Sequence, residues 1–307
     1  MKAVVLEAFG TQPAVRDVPA PSPGPGELLV RVQTSSFNPM DGGIVSGMMK
    51  DVVEHRFPVT LGRDFAGIVE AVGGDVEGVS VGDEVFGFIP GMHPIIHDGT
   101  WAELIVVGQT EFAHKPASTD MASAGAVGLA AATALAGIDA LELSSGETVL
   151  IVGANGGVGS FAVQLADAAG ANVIAPARPE DEEYLRSLGV RELVPRDGDV
   201  AAAVLARHAP GVDAVLDLVS FTPGSYDGAL KAGGRVASSL RAAGEGTGRT
   251  NAAGLPSCET LRRLADLLND GTLTVHVQKS YPLQEALQGM RELGATHKHG
   301  KLGLFFP

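Results

Sequence analysis

Short runs of apolar residues, separated by turn residues, dominate the first part of the chain up to about residue 118. Runs of this length, bounded by Gly and Pro, are typical of β-strands. The clearest of them are Lys2–Leu6, Glu27–Thr34, Gly67–Val72, Glu84–Ile89 and Ala102–Val107. Between them, clusters such as Pro21–Gly26 are typical of turns. The pattern therefore predicts a compact, mostly β domain.

The spacing of apolar residues changes at residue 119, where an alanine-rich segment with helical spacing runs to residue 139. From Thr148 onward, strand-like and helix-like segments alternate along the chain. They are predicted at 148–153, 157–169, 172–175, 180–188, 191–194, 198–208, 213–218 and 233–238. Such alternation is typical of a parallel, doubly wound sheet, so the fold is predicted to belong to the α/β class.

The remainder of the chain follows a different order. Ser257–Asn269 has the spacing of a strongly amphipathic helix, and Thr272–Gln278 that of a strand. A second helix is predicted near Leu283–Leu293, and a last strand at Leu302–Phe306. Segments of β type are thus expected to return after the alternating region has ended.

A glycine cluster follows the first strand of the alternating region, in the stretch Gly153-Ala154-Asn155-Gly156-Gly157-Val158-Gly159. A helix that starts directly behind such a turn leaves backbone N–H groups free, pointing at an anion. Glycines let the chain turn tightly and let a pyrophosphate approach the backbone. The stretch predicts a dinucleotide site that includes Asn155, Gly156, Gly157 and Val158. The alternative is an ordinary strand–helix turn without a ligand.

The second strand of this unit ends at Arg178, in Val173-Ile-Ala-Pro-Ala-Arg178. In dinucleotide folds an acidic residue at this point accepts hydrogen bonds from the ribose of NAD. A guanidinium instead matches a 2′-phosphate in charge and in bidentate geometry. The arginine predicts NADPH as the cofactor, unless Arg178 is only a solvated loop residue.

Composition and charge narrow the class of protein further. A chain of 307 residues with 45% hydrophobic and 19% charged residues is expected to form two globular domains. The net charge of −14 opposes binding to nucleic acid. A single cysteine, Cys258, excludes an internal disulfide and a cysteine-clustered zinc site. Without a signal-peptide pattern, and with the alanine-rich stretch 122–137 interpreted as a buried helix, we expect a cytoplasmic protein without a membrane partner.

Six short motifs occur in a fixed order and together carry a resemblance. They are Asn38-Pro39-Met40-Asp41, Leu61-Gly62-Arg63-Asp64-Phe65-Ala66-Gly67, Val81-Gly82-Asp83-Glu84-Val85, Gly99-Thr100-Trp101-Ala102-Glu103, Ala154–Gly159 and Gly300-Lys301-Leu302. Over essentially its full length the chain resembles the medium-chain dehydrogenase/reductase superfamily, in its zinc-free quinone oxidoreductase branch. The resemblance implies a GroES-like catalytic domain at 1–118, completed by 273–307. It also implies a Rossmann NADP-binding domain at 119–272, with the cofactor between the two domains.

Further expectations come from the same resemblance. It implies a small-molecule substrate and a homodimer, formed by pairing of sheet edges near 247–256. It also implies Arg196, after the third strand of the alternating region, as a further contact to the cofactor phosphate. Some relatives use a tyrosine in this region for a second phosphate contact, and the matching residue here is Pro195, so the resemblance does not supply that second contact.

Zinc-using relatives carry metal ligands where this chain has Asn38, Arg63 and Leu129. None of these side chains is a usual zinc ligand, so no metal is expected. His93 and His97 are four residues apart, but Pro94 disfavours a regular helical face there. We interpret both as solvated loop histidines.

The resemblance places Asn38 opposite the nicotinamide, as a hydrogen-bond donor to the substrate. Asp41 is interpreted as holding its loop. Relatives carry an aromatic and a basic residue where this chain has Gly43 and Val45, which predicts a more open pocket, lined in part by His55, Met48 and Met49. Without a Lewis acid, quinones and α,β-unsaturated carbonyl compounds are favoured as hydride acceptors. The alternatives are another carbonyl-activated compound, or an NADPH-binding structural or regulatory protein with little turnover.

Overall fold

The computed structural model describes residues 1–91, 95–295 and 297–307. They divide into two compact units. The first contains Met1–Leu129, Leu255–Gly271 and Val275–Pro307, and the second contains Ala130–Gly254 and Thr272–Thr274. The boundaries predicted at 118/119 and 272/273 differ from this division at 119–129 and, over a longer segment, at 255–271. This segment groups with the first unit, where its helix packs against the strand Phe112–His114.

Strands and helices cover most of both units. The strands are β1 (Lys2–Leu6), β2 (Ala14–Asp17), β3 (Glu27–Ser36), β4 (Glu54–His55), β5 (Val59–Thr60), β6 (Asp64–Val72), β7 (Glu84–Phe88), β8 (Ile95–Ile96), β9 (Leu104–Gly108), β10 (Phe112–His114), β11 (Thr148–Val152), β12 (Asn172–Ala177), β13 (Glu192–Pro195), β14 (Val212–Asp217), β15 (Leu230–Ser238), β16 (Arg249–Asn251), β17 (Val277–Pro282) and β18 (Lys301–Phe305). The α-helices are α1 (Pro39–Ser46), α2 (Met121–Leu141), α3 (Gly157–Ala168), α4 (Glu182–Ser187), α5 (Val200–Leu205), α6 (Cys258–Asn269) and α7 (Ala286–Ala295).

The first unit is built around a mixed sheet in the order β10-β7-β6-β3-β18-β17, with β9 pairing to β3 as well. Only β17 and β18 are parallel neighbours in it. Strand β18 pairs antiparallel with β3, so that Gly303 lies opposite Ser36. This pairing brings the late Gly300-Lys301 motif beside the chain that leaves β3 toward Asn38. Phe37, Trp101, Tyr281 and other buried residues form the core beneath it.

The strand predicted at Thr272–Gln278 is found five residues later along the chain, as β17. The side chain of Gln164 explains the shift. Its amide oxygen, Oε1, accepts from the backbone N–H of Thr274 at 2.8 Å, and its amide nitrogen, Nε2, donates to the backbone oxygen of the same residue at 3.1 Å. Because both backbone groups of Thr274 are taken by a helix side chain, this segment is not free to pair as a strand.

The second unit contains a six-stranded sheet in the order β13-β12-β11-β14-β15-β16, and all of its pairs are parallel. The order reverses between β11 and β14, which is the doubly wound arrangement that the alternating pattern predicted. In such sheets, ligands bind outside the carboxyl ends of the strands at this switch point. The predicted α/β class is confirmed.

Helix α2 is long and apolar enough to cross a membrane, by length and composition alone. However, 67% of its most apolar window is buried inside the protein. Its glycines allow close packing: a Cβ at Gly128 would lie 2.8 Å from a carboxylate oxygen of Asp64, and one at Gly125 would lie 2.3 Å from the hydroxyl of Thr34. These contacts are those of a core helix, and they hold the backbone near Leu129 against Asp64.

Candidate active site

Asn38 is the N-cap residue, directly before helix α1. Its backbone is extended (φ −127°, ψ 148°), Pro39 takes the first helical position, and the carboxylate of Asp41 accepts from the backbone N–H of Asn38 at 2.8 Å. Asn, Pro and an acid at these positions are the residues that helix starts favour. The sequence motif thus has a local structural role, and Asp41 does hold this turn, as predicted.

The carboxamide of Asn38 is fixed at both ends by two buried charges. Its Nδ2 donates to a carboxylate oxygen of Asp64 at 2.8 Å, and its Oδ1 accepts from the ammonium of Lys301 at 2.7 Å. All three residues are at most 4% exposed. The opposite charges permit only one amide orientation, and they leave one N–H of Asn38 without an acceptor among the described residues.

Asp64 is the centre of this polar cluster. One of its carboxylate oxygens accepts from the backbone N–H of Leu129 at 2.6 Å, and the other accepts from the hydroxyl of Ser36. Lys301 lies 3.4 Å from the second oxygen and also donates to the backbone oxygen of Phe37 at 3.3 Å. A buried charge pair of this kind is tolerated only with such additional hydrogen bonds.

Asp41 is less well satisfied than Asp64. It is 1% exposed, and its Oδ1 is buried without a hydrogen-bond partner in the described part of the chain. Burial raises the pKa of Asp41 to about 6, against the opposing effects of the Asn38 N–H and the charge of Arg63. A carboxyl group with such a pKa changes its protonation state just below neutral pH.

We expect Asp41→Asn to gain stability over the wild type as the pH rises. Because the folded pKa lies above the ordinary value of 3.8, the folded wild type loses stability as the pH rises from about 4 through 6. The difference in unfolding free energy between variant and wild type should grow by roughly 1–1.5 kcal/mol from pH 5 to pH 8. Urea unfolding of both proteins at the two pH values measures it. A difference that stays constant with pH contradicts the raised pKa.

The residues at the three expected metal positions do not fit a zinc ion. The oxygen of Asn38 is already bound to an ammonium, Arg63 is a cation, and Leu129 contributes only a backbone N–H to Asp64. Zinc requires deprotonated nitrogen, sulfur or oxygen donors. His97 contacts the backbone oxygen of Arg56 through Nδ1 at 2.8 Å, and His93 lies outside the described residues.

The residues predicted to line the pocket occupy different environments. A Cβ at Gly43 would meet no atom within 4 Å, which agrees with an open site there. Val45 instead packs against the core of the first unit, and Met49 is half-buried. Met48 is 67% exposed. His55 lies among aromatic rings, with ring centroids 4.8 Å from Phe9 and 6.2 Å from Phe57.

The predicted dinucleotide turn has the geometry of a phosphate cradle. Gly153 adopts φ +90°, Gly156 is the residue before α3, and Gly157 and Val158 begin that helix. A Cβ at Gly159 would lie 2.1 Å from the backbone oxygen of Gly153, so only glycine allows this approach of helix and turn. Asn155 and the three residues after it are half-buried. The residues present therefore fit a bound dinucleotide phosphate.

Arg178 and Arg196 follow neighbouring strands of the parallel sheet. Ala177 lies opposite Pro195 in the register of β12 and β13, and the N–H of Arg196 donates to the oxygen of Ala177 at 3.1 Å. The two arginines are consequently adjacent at the carboxyl edge. The side chain of Arg178 is 41% exposed and its Nη1 lies 3.8 Å from Glu180, while its backbone N–H donates to the carboxylate of Asp181 at 3.0 Å. Two arginines whose backbones are adjacent at this edge suit a phosphate, since guanidinium groups match phosphate in charge and geometry.

Two further loops at the carboxyl edge were not identified from the sequence. The carboxylate of Asp217 accepts from the N–H groups of Val219 and Ser220, both at 3.0 Å. The hydroxyl of Ser238 accepts from the N–H groups of Leu240 and Ala242, both at 3.1 Å. A polar residue at the carboxyl end of each apolar strand was the signal available for them. The motifs that contain Asp64 and Lys301 were noted in the sequence, but without a role for these two residues.

Comparisons with known proteins agree with both units. The alcohol dehydrogenase GroES-like domain model matches residues 24–117, and the zinc-binding dehydrogenase model matches residues 157–245. The chain is 28% identical to the bovine mitochondrial NAD(P)H oxidoreductase RTN4IP1, over 90% of this chain and 81% of that protein.

Two solved structures match over 99% of both chains. A quinone oxidoreductase from Coxiella burnetii is 28% identical with a TM-score of 0.86. An alcohol dehydrogenase superfamily protein from Novosphingobium aromaticivorans is 30% identical with a TM-score of 0.87.

Proposed function

Starting from a chain that belongs to the medium-chain dehydrogenase/reductase superfamily, in its quinone oxidoreductase-like branch, and that is an NAD(P)H-dependent oxidoreductase, we propose a specific reaction. The protein reduces quinones or α,β-unsaturated carbonyl compounds with NADPH and without zinc. The observation that carries the proposal is the fixed orientation of the Asn38 carboxamide.

Asn38 acts in this proposal as a neutral donor to the substrate oxygen. When bound, NADPH supplies the hydride. As negative charge develops on the acceptor oxygen, the remaining N–H of Asn38 donates to it, and this hydrogen bond strengthens in the transition state. The Lys301 ammonium on Oδ1 draws electron density from the amide and makes that N–H a stronger donor. With no general acid assigned, water protonates the α-carbon of a reduced enone or the oxygen of a reduced quinone.

We expect Asn38→Ala to lower turnover of an enone by about tenfold, because one donor to the developing oxyanion is lost. The affinity for NADPH should change little. Loss of reduced-nicotinamide absorbance over a panel of quinones and enones measures the rate, and fluorescence titration measures cofactor binding. Chelators should leave the wild type unaffected. Full turnover of the variant on every good acceptor would mean that Asn38 has only a structural role.

The cofactor preference rests on the two arginines at the carboxyl edge of the sheet. Arg178→Ala should weaken NADPH binding by about 10- to 100-fold and leave NADH binding almost unchanged, because a charged hydrogen bond to the 2′-phosphate is lost. The matched control is Arg186→Ala, which removes an exposed arginine paired with Glu182 in α4. Calorimetric titration with both cofactors checks this. Equal losses of affinity for NADPH and NADH would mean that Arg178 stabilises its loop and does not bind the 2′-phosphate.

Two further parts of the proposal concern assembly and the competing class. Strand β16 is an edge of the six-stranded sheet, and its unpaired backbone groups are available for pairing with a second copy in a homodimer.

The competing class is an NADPH-binding structural or regulatory protein with little turnover. Sustained turnover of any acceptor in the panel would exclude that class.

A further inference from the structure

Arg63 is a buried cation whose hydrogen bonds are mostly unmade. The residue is 2% exposed and directly precedes β6. Its Nη1 donates to the backbone oxygen of Asp98 at 3.2 Å. Its Nε and Nη2 are buried and have no hydrogen-bond partner among the residues that the structure describes. A buried guanidinium in this state is costly for the protein, so an acceptor for these nitrogens is expected.

The two unpartnered nitrogens lie on the same side of the guanidinium. Nε and Nη2 together form the side-on fork, in which two parallel N–H groups match the two oxygens of a carboxylate. Nη1, which has a partner, is on the other side. The atoms without a partner are therefore those that bind a planar carboxylate in bidentate fashion.

Arg63 also lines a cleft of about 570 Å³ within the first unit, a volume that suits a small molecule. The same cleft is also lined by Thr60, Ile89, His97, Asp98 and Thr100. The acidic side chain of Asp98 is 88% exposed, so it points to solvent while its backbone oxygen faces Arg63.

Two glutamates among the lining residues are held elsewhere. Glu27 lies beyond the far end of β6, since Leu28 pairs with Val72, and its carboxylate accepts from the N–H of Gly24 at 2.8 Å. The carboxylate of Glu111 accepts from the N–H of Gly108 at 2.8 Å. Neither contact involves Arg63.

We propose that the side-on fork of Arg63 binds a carboxylate of the acceptor substrate, within this cleft. The substrate class is then a quinone or enone that carries an acidic group away from its reacting carbon. This inference rests on the proposed function for its kinetics, but the binding site is testable without turnover. The competing occupant of the fork is Asp41, because its Oδ1 is also buried without a hydrogen-bond partner among the described residues and its charge acts on Arg63.

The kinetic test compares a 2-enal that carries a terminal carboxylate with its methyl ester. We expect the wild type to favour the acid over the ester by about 10- to 100-fold in kcat/KM. In Arg63→Met the ratio should fall to about one, and Arg63→Lys, with a single point charge, should lie between. A ratio near one in the wild type, or one that Arg63→Met leaves unchanged, overturns the proposal.

The binding test uses octanoate and 1-octanol in calorimetric titrations of the cofactor-free protein. Octanoate should bind the wild type at least tenfold more tightly than Arg63→Met, while 1-octanol should not distinguish them. If no acceptor is reduced but octanoate binding depends on Arg63, the proposed function fails and the site stands. If octanoate binds only to Asp41→Asn, then the side-on fork of Arg63 is occupied by the Asp41 carboxylate in the wild type, and the proposal is wrong. If Arg63→Met fails to fold, Arg63→Lys is used in its place to measure both the ratio of acid to ester in kcat/KM and the affinity for octanoate.

Discussion

Asp64→Asn is expected to reduce the free energy of unfolding by about 3–5 kcal/mol, because it leaves the buried ammonium of Lys301 without its counter-charge. The amide would also present donors to Ser36 and Asn38, which already donate to Asp64. A buried donor that faces other donors makes no hydrogen bond, but its removal from water still costs free energy. Chemical denaturation at pH 7 measures the loss.

The matched control for this prediction is Asp17→Asn. Asp17 is 77% exposed and pairs with Lys2 at 2.6 Å, so its loss should have little effect on stability. The double variant Asp64→Asn with Lys301→Met should recover part of the loss, because no unpaired charge is then left inside. A cost for Asp64→Asn no larger than that of Asp17→Asn would show that the buried pair is not a structural element.

Gly159→Ala is expected to lower activity at a fixed NADPH concentration by two orders of magnitude or more. The added Cβ would lie 2.1 Å from the oxygen of Gly153 and 2.6 Å from the Cα of Ala154. Both are backbone atoms, so the turn itself must move by about an ångström, and misplacements of that size cost about 100-fold in rate. The increase in the Kd of NADPH, measured by titration, should account for most of the effect.

Gly294→Ala is the control for Gly159→Ala. Gly294 lies in α7, and a Cβ there would meet no atom within 4 Å. Removing a glycine from an exposed helix position is expected to be neutral or slightly stabilising. If Gly159→Ala binds NADPH like the wild type and keeps its activity, the close approach of helix and turn does not position the cofactor.

The parts of the fold that follow local rules were predictable. The glycine cluster, the strand–helix alternation and the long alanine-rich helix each come from spacing within a few residues, and the structure contains all three. Helix α1 was not predicted, because Gly42 and Gly43 are poor helix formers. The turn made by Asn38, Pro39 and Asp41 is what starts it.

The environment of Asn38 could not be derived from sequence spacing. The residue was expected to present its amide to a substrate, and that role stays a prediction. The structure adds two charges that hold the amide from behind, one of them 263 residues away along the chain. No periodic pattern connects such distant residues, and only the pairing of β18 with β3 brings them together. Arg63 was considered only as a lost metal ligand, since burial of a charged side chain has no local signature.

The position of β18 has a consequence for the order in which the protein matures during synthesis. The six-stranded sheet is made from residues 148–251, an uninterrupted stretch that can fold as soon as it has left the ribosome. The sheet of the first unit must wait for β17 and β18, because β3 has β18 as a neighbour. Until then Asn38 and Asp64 lack the ammonium of Lys301. The six-stranded sheet should therefore fold early in synthesis. The carboxamide of Asn38 should be fixed in its orientation only after residue 301 has been added.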